Sequence, residues 1–393
     1  LQQIHLEVTI LIFDTRLTIG KLYPLALTRP VCDIRHGIFT LREWYAIVSG
    51  LPVHTISAPY LPKDGIDEKV GPFLCIDSSV IPDVALLKEL LSMAEGTSFE
   101  DANGIIGFIA TAIPTFDRFP LFFNNTINSG IVPRIGHPMD WVKTNTDKLK
   151  SDFNLLNPQN LRPADSVCNR VFGAHPVWMD EGAKASGVIF NTEDGPVYIG
   201  KNALVMEGVC IRGPVAILDG AVIKMGAHIY QGTTIGKSVV AGGEIKNSIL
   251  GDFSNKAHHG YLGDSIVGRW CNLGAGTSNS NVKNNGGVVN MWSEAQKKMI
   301  PVGKKAGLVM GDFSKTAINT SLNTGTTIGT CCSLHKPGYP GKHIPSFSWG
   351  PGEVYDQEKA KLDLTNWFQF KNHQVEVGLD AVLEQLFQNI KSS

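Results

Sequence analysis

One aliphatic residue falls every six positions from Ile199 to Ile235: Ile199, Val205, Ile211, Ile217, Ile223, Ile229 and Ile235, with Ala241 extending the row. A second row runs two residues ahead of it, through Val197, Ala203, Val209, Val215, Ala221, Ala227, Thr233 and Val239. A sustained period of six fits neither a 3.6-residue helix nor an isolated hairpin. It fits a coil of three short flat strands, each turning one aliphatic side chain inward, with small residues near the corners. A single coil is too small to hold a core, so the inward side chains must stack from coil to coil. The row breaks after Ala241 and resumes in shifted register at Leu322, Ile328 and Leu334. The expectation is a parallel β-helix over residues 171–350. The polar stretch "SEAQKKMIPVG" (293–303) does not fit the six-residue step and reads as a loop or hairpin leaving the coil.

The flanking regions have other rhythms. A chain of 393 residues has room for two or three domains. Residues 1–170 read as an α/β domain. "VTILIF" is β-branched and apolar, "GPFLCID" reads as a strand, "DVALLKELLSM" has helical spacing, and "GIIGFIA" is a short buried run. Strand followed by helix suggests crossover units on a largely parallel sheet. In residues 351–393, Leu379, Val382, Leu383, Leu386, Phe387 and Ile390 follow the spacing of an amphipathic helix, which reads as a cap packed on the coil.

Lys plus Arg number 35 against 36 acidic residues, so no overall charge draws the chain to nucleic acid or anionic lipid. No apolar run reaches the roughly 18–20 residues that span a bilayer. The opening "LEVTILIF" is too short for a span, lacks a basic leader and reads as a buried strand. The seven cysteines are scattered without a metal-type CxxC pair, which suggests reduced thiols in a cytoplasmic protein.

A repeat within the coil region points to chemistry. "GDFSNKAHHGYL" (251–262) matches "GDFSKTAINTSL" (311–322) at Gly-Asp-Phe-Ser, at Ala257 and Ala317, and at Leu262 and Leu322. His258 and His259 have no counterpart; Ile318 and Asn319 stand in their places. The pattern suggests a repeated scaffold with chemistry in one copy. His228 and Lys246 are 18 residues apart, about one coil, so the two would stack in one column and suit a phosphate.

The stretch "GGEIKNSILGDFSNKAHHGYLGDSIVGRWCNLGAGTSNSN" resembles the acetyltransferase half of the bacterial bifunctional enzymes that acetylate glucosamine-1-phosphate and then uridylylate the product. With "LYPLALTRPVCDIRHGIFTLREW", "GPVYIG" and "NNGGVVNMW", the whole chain looks closer still to a divergent Bacteroidetes branch, a sugar nucleotidyltransferase joined to a hexapeptide domain. The resemblance implies a left-handed β-helix, a homotrimer and acetyl-coenzyme A as donor. Counting back from Tyr-Leu-Gly-Asp, His258 takes the place of the family's catalytic histidine. Lys246 takes that of the lysine holding the sugar phosphate, and Tyr261, Asn272 and Asn281 match its sugar-contacting tyrosine and its two asparagines. Ala275 matches a backbone contact to acetyl-coenzyme A. The family carries an arginine at His228, and its "NYDG" reads "NVKN" here. A histidine base suits acyl transfer to an amine at neutral pH. His259 is the neighbour that points to the opposite face, because adjacent strand residues point to opposite sides.

The resemblance also implies nucleotidyl transfer in the front domain, from UTP or dTTP to a sugar-1-phosphate with Mg²⁺. The family's glycine-rich phosphate loop is reduced here to "FDTRLTIGK", with Thr15-Arg16-Leu17 echoing its end. Arg16, Lys21, Arg29 and Arg35 are the candidate phosphate contacts, and Asn145 a candidate polar contact to the nucleotide. Asp77, at the end of a strand, is the candidate Mg²⁺ ligand. Three other readings are a nucleotidyltransferase whose β-helix serves only for trimerisation, a catalytically silent regulatory or scaffold protein, and a zinc hydratase with three histidines shared between subunits.

Overall fold

The computed structural model describes residues 8–66, 71–118, 123–165, 167–336, 338–350 and 352–391. Leu6 and Glu7 of the opening stretch, and the side chain of Ile390, lie outside the described residues.

The front domain is built on a six-stranded sheet of β1 (Thr9–Phe13), β2 (Val53–Ile56), β3 (Phe73–Asp77), β4 (Thr97–Asp101), β5 (Gly104–Ala110) and β6 (Asn125–Asn128), in the order β2-β1-β3-β5-β4-β6. The sheet is mixed rather than largely parallel: β2, β1 and β3 are parallel, but β5 runs antiparallel to both its neighbours. The cause is local. Only Ala102 and Asn103 separate β4 from β5, and so short a link forces a hairpin. One sheet face, with Ile10, Ile12, Leu74 and Ile76, packs on helices Leu41–Ser49 and Val84–Leu91 through Trp44, Tyr45, Leu87 and Leu90. The other face, with Leu11, Phe13, Phe73 and Phe108, is covered by irregular chain carrying Ile66, Ile113 and Phe116.

The middle of the chain is a parallel β-helix. Its three faces are ladders of short parallel strands, and the two aliphatic rows form one continuous buried core from Val177 to Ile344. The break after Ala241 has a steric origin. From Ile199 to Ala241 six residues separate successive inward positions, but Ala241 is followed by Ile245 after four. The contracted corner is Gly242-Gly243. Gly243 has φ +73°, and a Cβ there would meet the carbonyls of His258 and Gly260 at 2.9 and 2.7 Å. Strand Glu244–Leu250 then runs around a corner and joins two faces. The segment 293–303 forms a hairpin, with Val289–Ser293 paired to Lys298–Gly303.

The first face of the prism carries the front domain. Its outward residues Ile249, Ile266 and Val309 are buried beside Leu22, Leu25, Val31 and Ile34, and lower down Tyr198, Ala216 and Leu218 pack with Ile38 and Leu149 of helix Pro138–Phe153. Corner residues Trp270, Phe313 and Phe347 meet the tail helices Gln357–Phe370 and Leu379–Lys391 through Phe368 and Phe387. The second face bears strands Asn255–Lys256, Asn272–Leu273 and Lys315–Thr316. The third bears His228–Ile229 and the first halves of Glu244–Leu250 and Tyr261–Val267.

Candidate functional site

The repeated Gly-Asp-Phe-Ser explains itself before the histidines do. In both copies Phe takes a left-handed corner conformation, with φ +64° at Phe253 and at Phe313. Each Ser accepts an amide from the next coil, Cys271 N–H to Ser254 Oγ and Cys332 N–H to Ser314 Oγ, both at 2.9 Å. Each Asp accepts an amide from the preceding coil and an arginine from the front domain. Arg35 donates to Asp252 at 3.2 Å and Arg29 to Asp312 at 2.8 Å, with Arg269 also on Asp312. Thr28 adds a hydrogen bond to Asp312 at 2.5 Å. The repeat is a docking device.

That device holds residues for which the sequence suggested another role. Arg29 and Arg35 lie in the domain interface, their guanidiniums paired with carboxylates of the β-helix, and Arg35 also with Glu43. Asn145 is fully buried; it donates to the Gly232 carbonyl at 2.8 Å and accepts from the Gly37 amide at 2.8 Å, joining its helix to the coil. Arg16 and Lys21 remain on the surface, Arg16 beside Asp117. Asp77 ends β3 as expected, but its carboxylate takes Arg134 at 3.2 Å and the Ser79 amide at 2.7 Å. Among the described residues no three His, Cys, Asp or Glu side chains group as a metal site. The same Arg134 also pairs with Asp101 at 3.2 Å, so both carboxylates are taken up by a guanidinium, which does not fit Mg²⁺ and its need for open oxygen ligands.

The front domain has a cleft that the sequence did not reveal. A cavity of about 510 Å³ lies beside the carboxyl end of β2, lined by Ser57, Lys63, Asp64, Thr115 and Arg118 among others. Open α/β sheets bind ligands at this end of their strands. Next to it, Asp14 at the end of β1 is buried and accepts from Ser57 Oγ and the Val31 amide; burial pushes its carboxyl up to about 6.

The β-helix residues fall into two groups on either side of one corner. His258 and His259 are exposed on a bend, not on a strand, so strand alternation does not set their directions. The fate of the two still differs. His258 lines a groove of about 690 Å³ with Asn255, Asn272, Ala275 and Ile318 on the coil and Trp367, Phe370 and Lys371 of the tail opposite. His259 is not among the lining residues; its carbonyl accepts the Gly276 amide at 3.2 Å. Burial lowers Lys371 to about 8.

Beyond the bend, on the third face, Lys246 stands opposite Gly263 in register, and the Tyr261 ring folds back over Gly263. Asn281 Nδ2 donates to Tyr261 Oη at 3.1 Å and to Asp264, whose other oxygen accepts from Asn247 at 2.7 Å. Burial, with Asp264 and Glu244 nearby, raises the Tyr261 hydroxyl to about 12, so it stays protonated at neutral pH. Lys246, Tyr261 and Asn281 thus gather on one side of the bend, and His258, Asn272 and Ala275 on the other.

The expected column of His228 and Lys246 does not form. His228 pairs in register with Cys210 and Glu244. The contracted Gly242-Gly243 corner makes this coil sixteen residues long at that point, so counting by eighteen overshoots by two.

One further residue was visible by counting alone. Leu250 and Leu262 are both inward, and six residues from each stands Lys256, which is 2% exposed. It occupies an inward position between Ala241 and Leu273.

Residues 10–160 match the family model described as sugar nucleotidyl transferase. The chain is 32% identical over 162 residues to the bifunctional protein GlmU of Synechococcus elongatus, covering 39% of this chain and 32% of that protein. It is 33% identical over 148 residues to GlmU of Methanocaldococcus jannaschii, covering 33% and 36%. It is 26% identical over 259 residues to a bifunctional sugar-1-phosphate nucleotidylyltransferase/acetyltransferase of Sulfurisphaera tokodaii, covering 59% and 62%. The chain spans about a third of the length of the GlmU proteins it matches. Its front domain carries the sugar nucleotidyl transferase signature, and the chain is similar to bifunctional sugar-1-phosphate nucleotidylyltransferases/acetyltransferases.

Proposed function

We propose that this chain is a sugar-nucleotide transferase whose β-helix moves an acetyl group from acetyl-coenzyme A to an amino-sugar-1-phosphate. The observation that carries this reading is the groove in which His258, Asn272 and Ala275 converge. The amine of the sugar would attack the thioester carbonyl. His258 takes the proton from the attacking nitrogen, and coenzyme A leaves as the thiol. Asn272 and the Ala275 backbone orient donor and sugar along the groove. Lys246, Tyr261 and Asn281, beyond the bend, bind the sugar and its phosphate, with Asp264 fixing the Asn281 amide. Trp367 and Phe370 form the outer wall of the groove.

The front domain, in the same reading, transfers a nucleotidyl group from UTP or dTTP to the sugar-1-phosphate: a sugar phosphate oxygen attacks the α-phosphorus and pyrophosphate leaves, with the cleft beside β2 as the nucleotide site and Lys63 and Arg118 as its cationic contacts. No step is assigned to Mg²⁺, because Asp77 is paired with Arg134. A homotrimer would meet through the third face, since the first carries the front domain and the tail helices lie against the second. Free thiols at all seven cysteines support a reducing, cytoplasmic setting. In the same reading the domains are 1–170, 171–350 and 351–393, with Arg162–Pro163 and Arg170 already paired into the coil.

The test is an assay of purified protein with acetyl-coenzyme A and glucosamine-1-phosphate, followed by addition of UTP or dTTP. Thiol release dependent on the sugar phosphate supports the reading. Nucleotidyl transfer without thiol release leaves the β-helix as an assembly module.

A further inference from the structure

Inside a β-helix every inward position faces the stacked aliphatic core, so a lysine there demands an explanation. Lys256 lies between Ala241 and Leu273 in that core and is 2% exposed. The row offers neutral solutions elsewhere: Asn279 and Thr316 occupy inward positions in later coils, each hydrogen-bonded. Among the described residues no carboxylate compensates Lys256. Its Nζ donates instead to two backbone carbonyls, His258 at 2.8 Å and Gly242 at 3.3 Å. These belong to two stacked corners. Gly242 is in the contracted turn, and a Cβ on it would meet the Ala257 carbonyl at 2.6 Å. The ammonium therefore ties the bend that carries His258 to the corner beneath it, from inside the coil.

Burying an ammonium among neutral partners is unfavourable, and burial lowers Lys256 to about 8. A chain selected only for a stable coil would place Leu or Met at this position. The corresponding residue in the second copy, Thr316, sits two residues before Ile318, where no base is held.

We infer that Lys256 is a positioning residue for His258, fixing the backbone of the exposed bend so that the imidazole is presented to the groove. The inference rests on the acetyl-transfer reading for its catalytic consequence, but its structural core, a Lys256 strut that orders the His258 bend, is independent of that reading.

Two measurements on Lys256→Met separate these claims. Methionine keeps the volume of the stem and removes the donor. We expect Tm to be maintained or raised, kcat for acetyl transfer to fall at least tenfold, and KM for both substrates to stay within about twofold. Independently of activity, carbethoxylation of His258 by diethyl pyrocarbonate, followed by peptide mass spectrometry, should change in rate by threefold or more, while His259→Ala leaves the His258 rate unaltered. If Lys256→Met does not fold, Lys256→Gln, which retains a donor amide, takes its place, with smaller changes in the same directions. Wild-type kcat together with an unchanged His258 modification rate would overturn the inference. A changed modification rate in a protein that transfers no acetyl group would uphold the strut and overturn the function instead.

Discussion

The two Gly-Asp-Phe-Ser coils are nearly the same object for four residues and differ at four of the next five, sharing only Ala257 and Ala317 there. Both put Phe at φ +64°, both bind the next coil through Ser, and both hold an arginine of the front domain on Asp. They part at the inward position, Lys256 against Thr316, and at the bend, His258 against Ile318. His258 and Ile318 line the same groove, one as the proposed base and one as an apolar wall. The comparison separates what assembles the molecule from what the proposed chemistry uses: the shared Asp residues dock the domains, and the unshared His258 and Ile318 face the groove.

The largest expected effect breaks the unshared part. His258→Ala should lower acetyl transfer by about 10²- to 10⁴-fold, the usual yield of a positioned general base. His259→Ala should stay within about threefold in the same steady-state assay, because His259 does not line the groove. Equal losses from both would erase the distinction.

The next effect breaks the shared part unequally. Asp312 is fully buried and holds Arg29, Arg269 and Thr28, so Asp312→Ala leaves Arg29 buried without its counter-ion. Denaturant unfolding should show a loss of about 3–5 kcal/mol. Asp252 is partly exposed, and Arg35 keeps Glu43 at 2.6 Å, so Asp252→Ala should cost about 1 kcal/mol. Similar losses would mean that the copies dock the front domain equally.

Acid should probe the same interface. His36 shares a hydrogen bond with Thr144 at 2.9 Å, and burial depresses it to about 3; His137, which caps helix Pro138–Phe153, is depressed to about 4 by burial. A histidine whose folded value lies below its unfolded 6.5 is neutral in the native state. The unfolded chain then binds more protons below pH 6.5, so this stability is complete above pH 6.5 and is lost as pH falls toward 4. Each histidine contributes a slope of up to about 1.4 kcal/mol per pH unit. His36→Gln should flatten the dependence between pH 6.5 and 4.5 by about one histidine; an unchanged slope would remove His36 from the account.

The smallest effect concerns the tail wall. Trp367→Ala should raise KM for acetyl-coenzyme A about three- to tenfold with kcat little changed, because the ring lines the groove without facing the base side alone. An unchanged KM would place the donor away from the tail.

What could be read from the sequence follows from what repeats. Inward positions from Val197 to Ile235 are equivalent, so six-residue counting found the core, and the hairpin at 293–303 showed as a departure from it. Counting failed where equivalence failed. Gly242-Gly243 removes two residues from a coil, and the proposed partnership of His228 with Lys246 went with them. Arg29, Arg35 and Asn145 looked available because sequence displays a charge or an amide but not its partner, and here the partners on the β-helix lie more than 80 residues away. Lys256 was within reach: it lies midway between two inward leucines, and only its chemistry argued against placing it in the core.

The central claim is that acetyl-coenzyme A and the sugar phosphate meet at the His258 bend. A crystal structure with coenzyme A and glucosamine-1-phosphate tests it most directly. The account predicts the coenzyme A thiol in the groove between the Asn272–Leu273 strand and the tail, with the sugar phosphate reaching Lys246 beyond the bend. Coenzyme A bound in the front-domain cleft or along the face bearing His228, with the His258 groove empty, would contradict it.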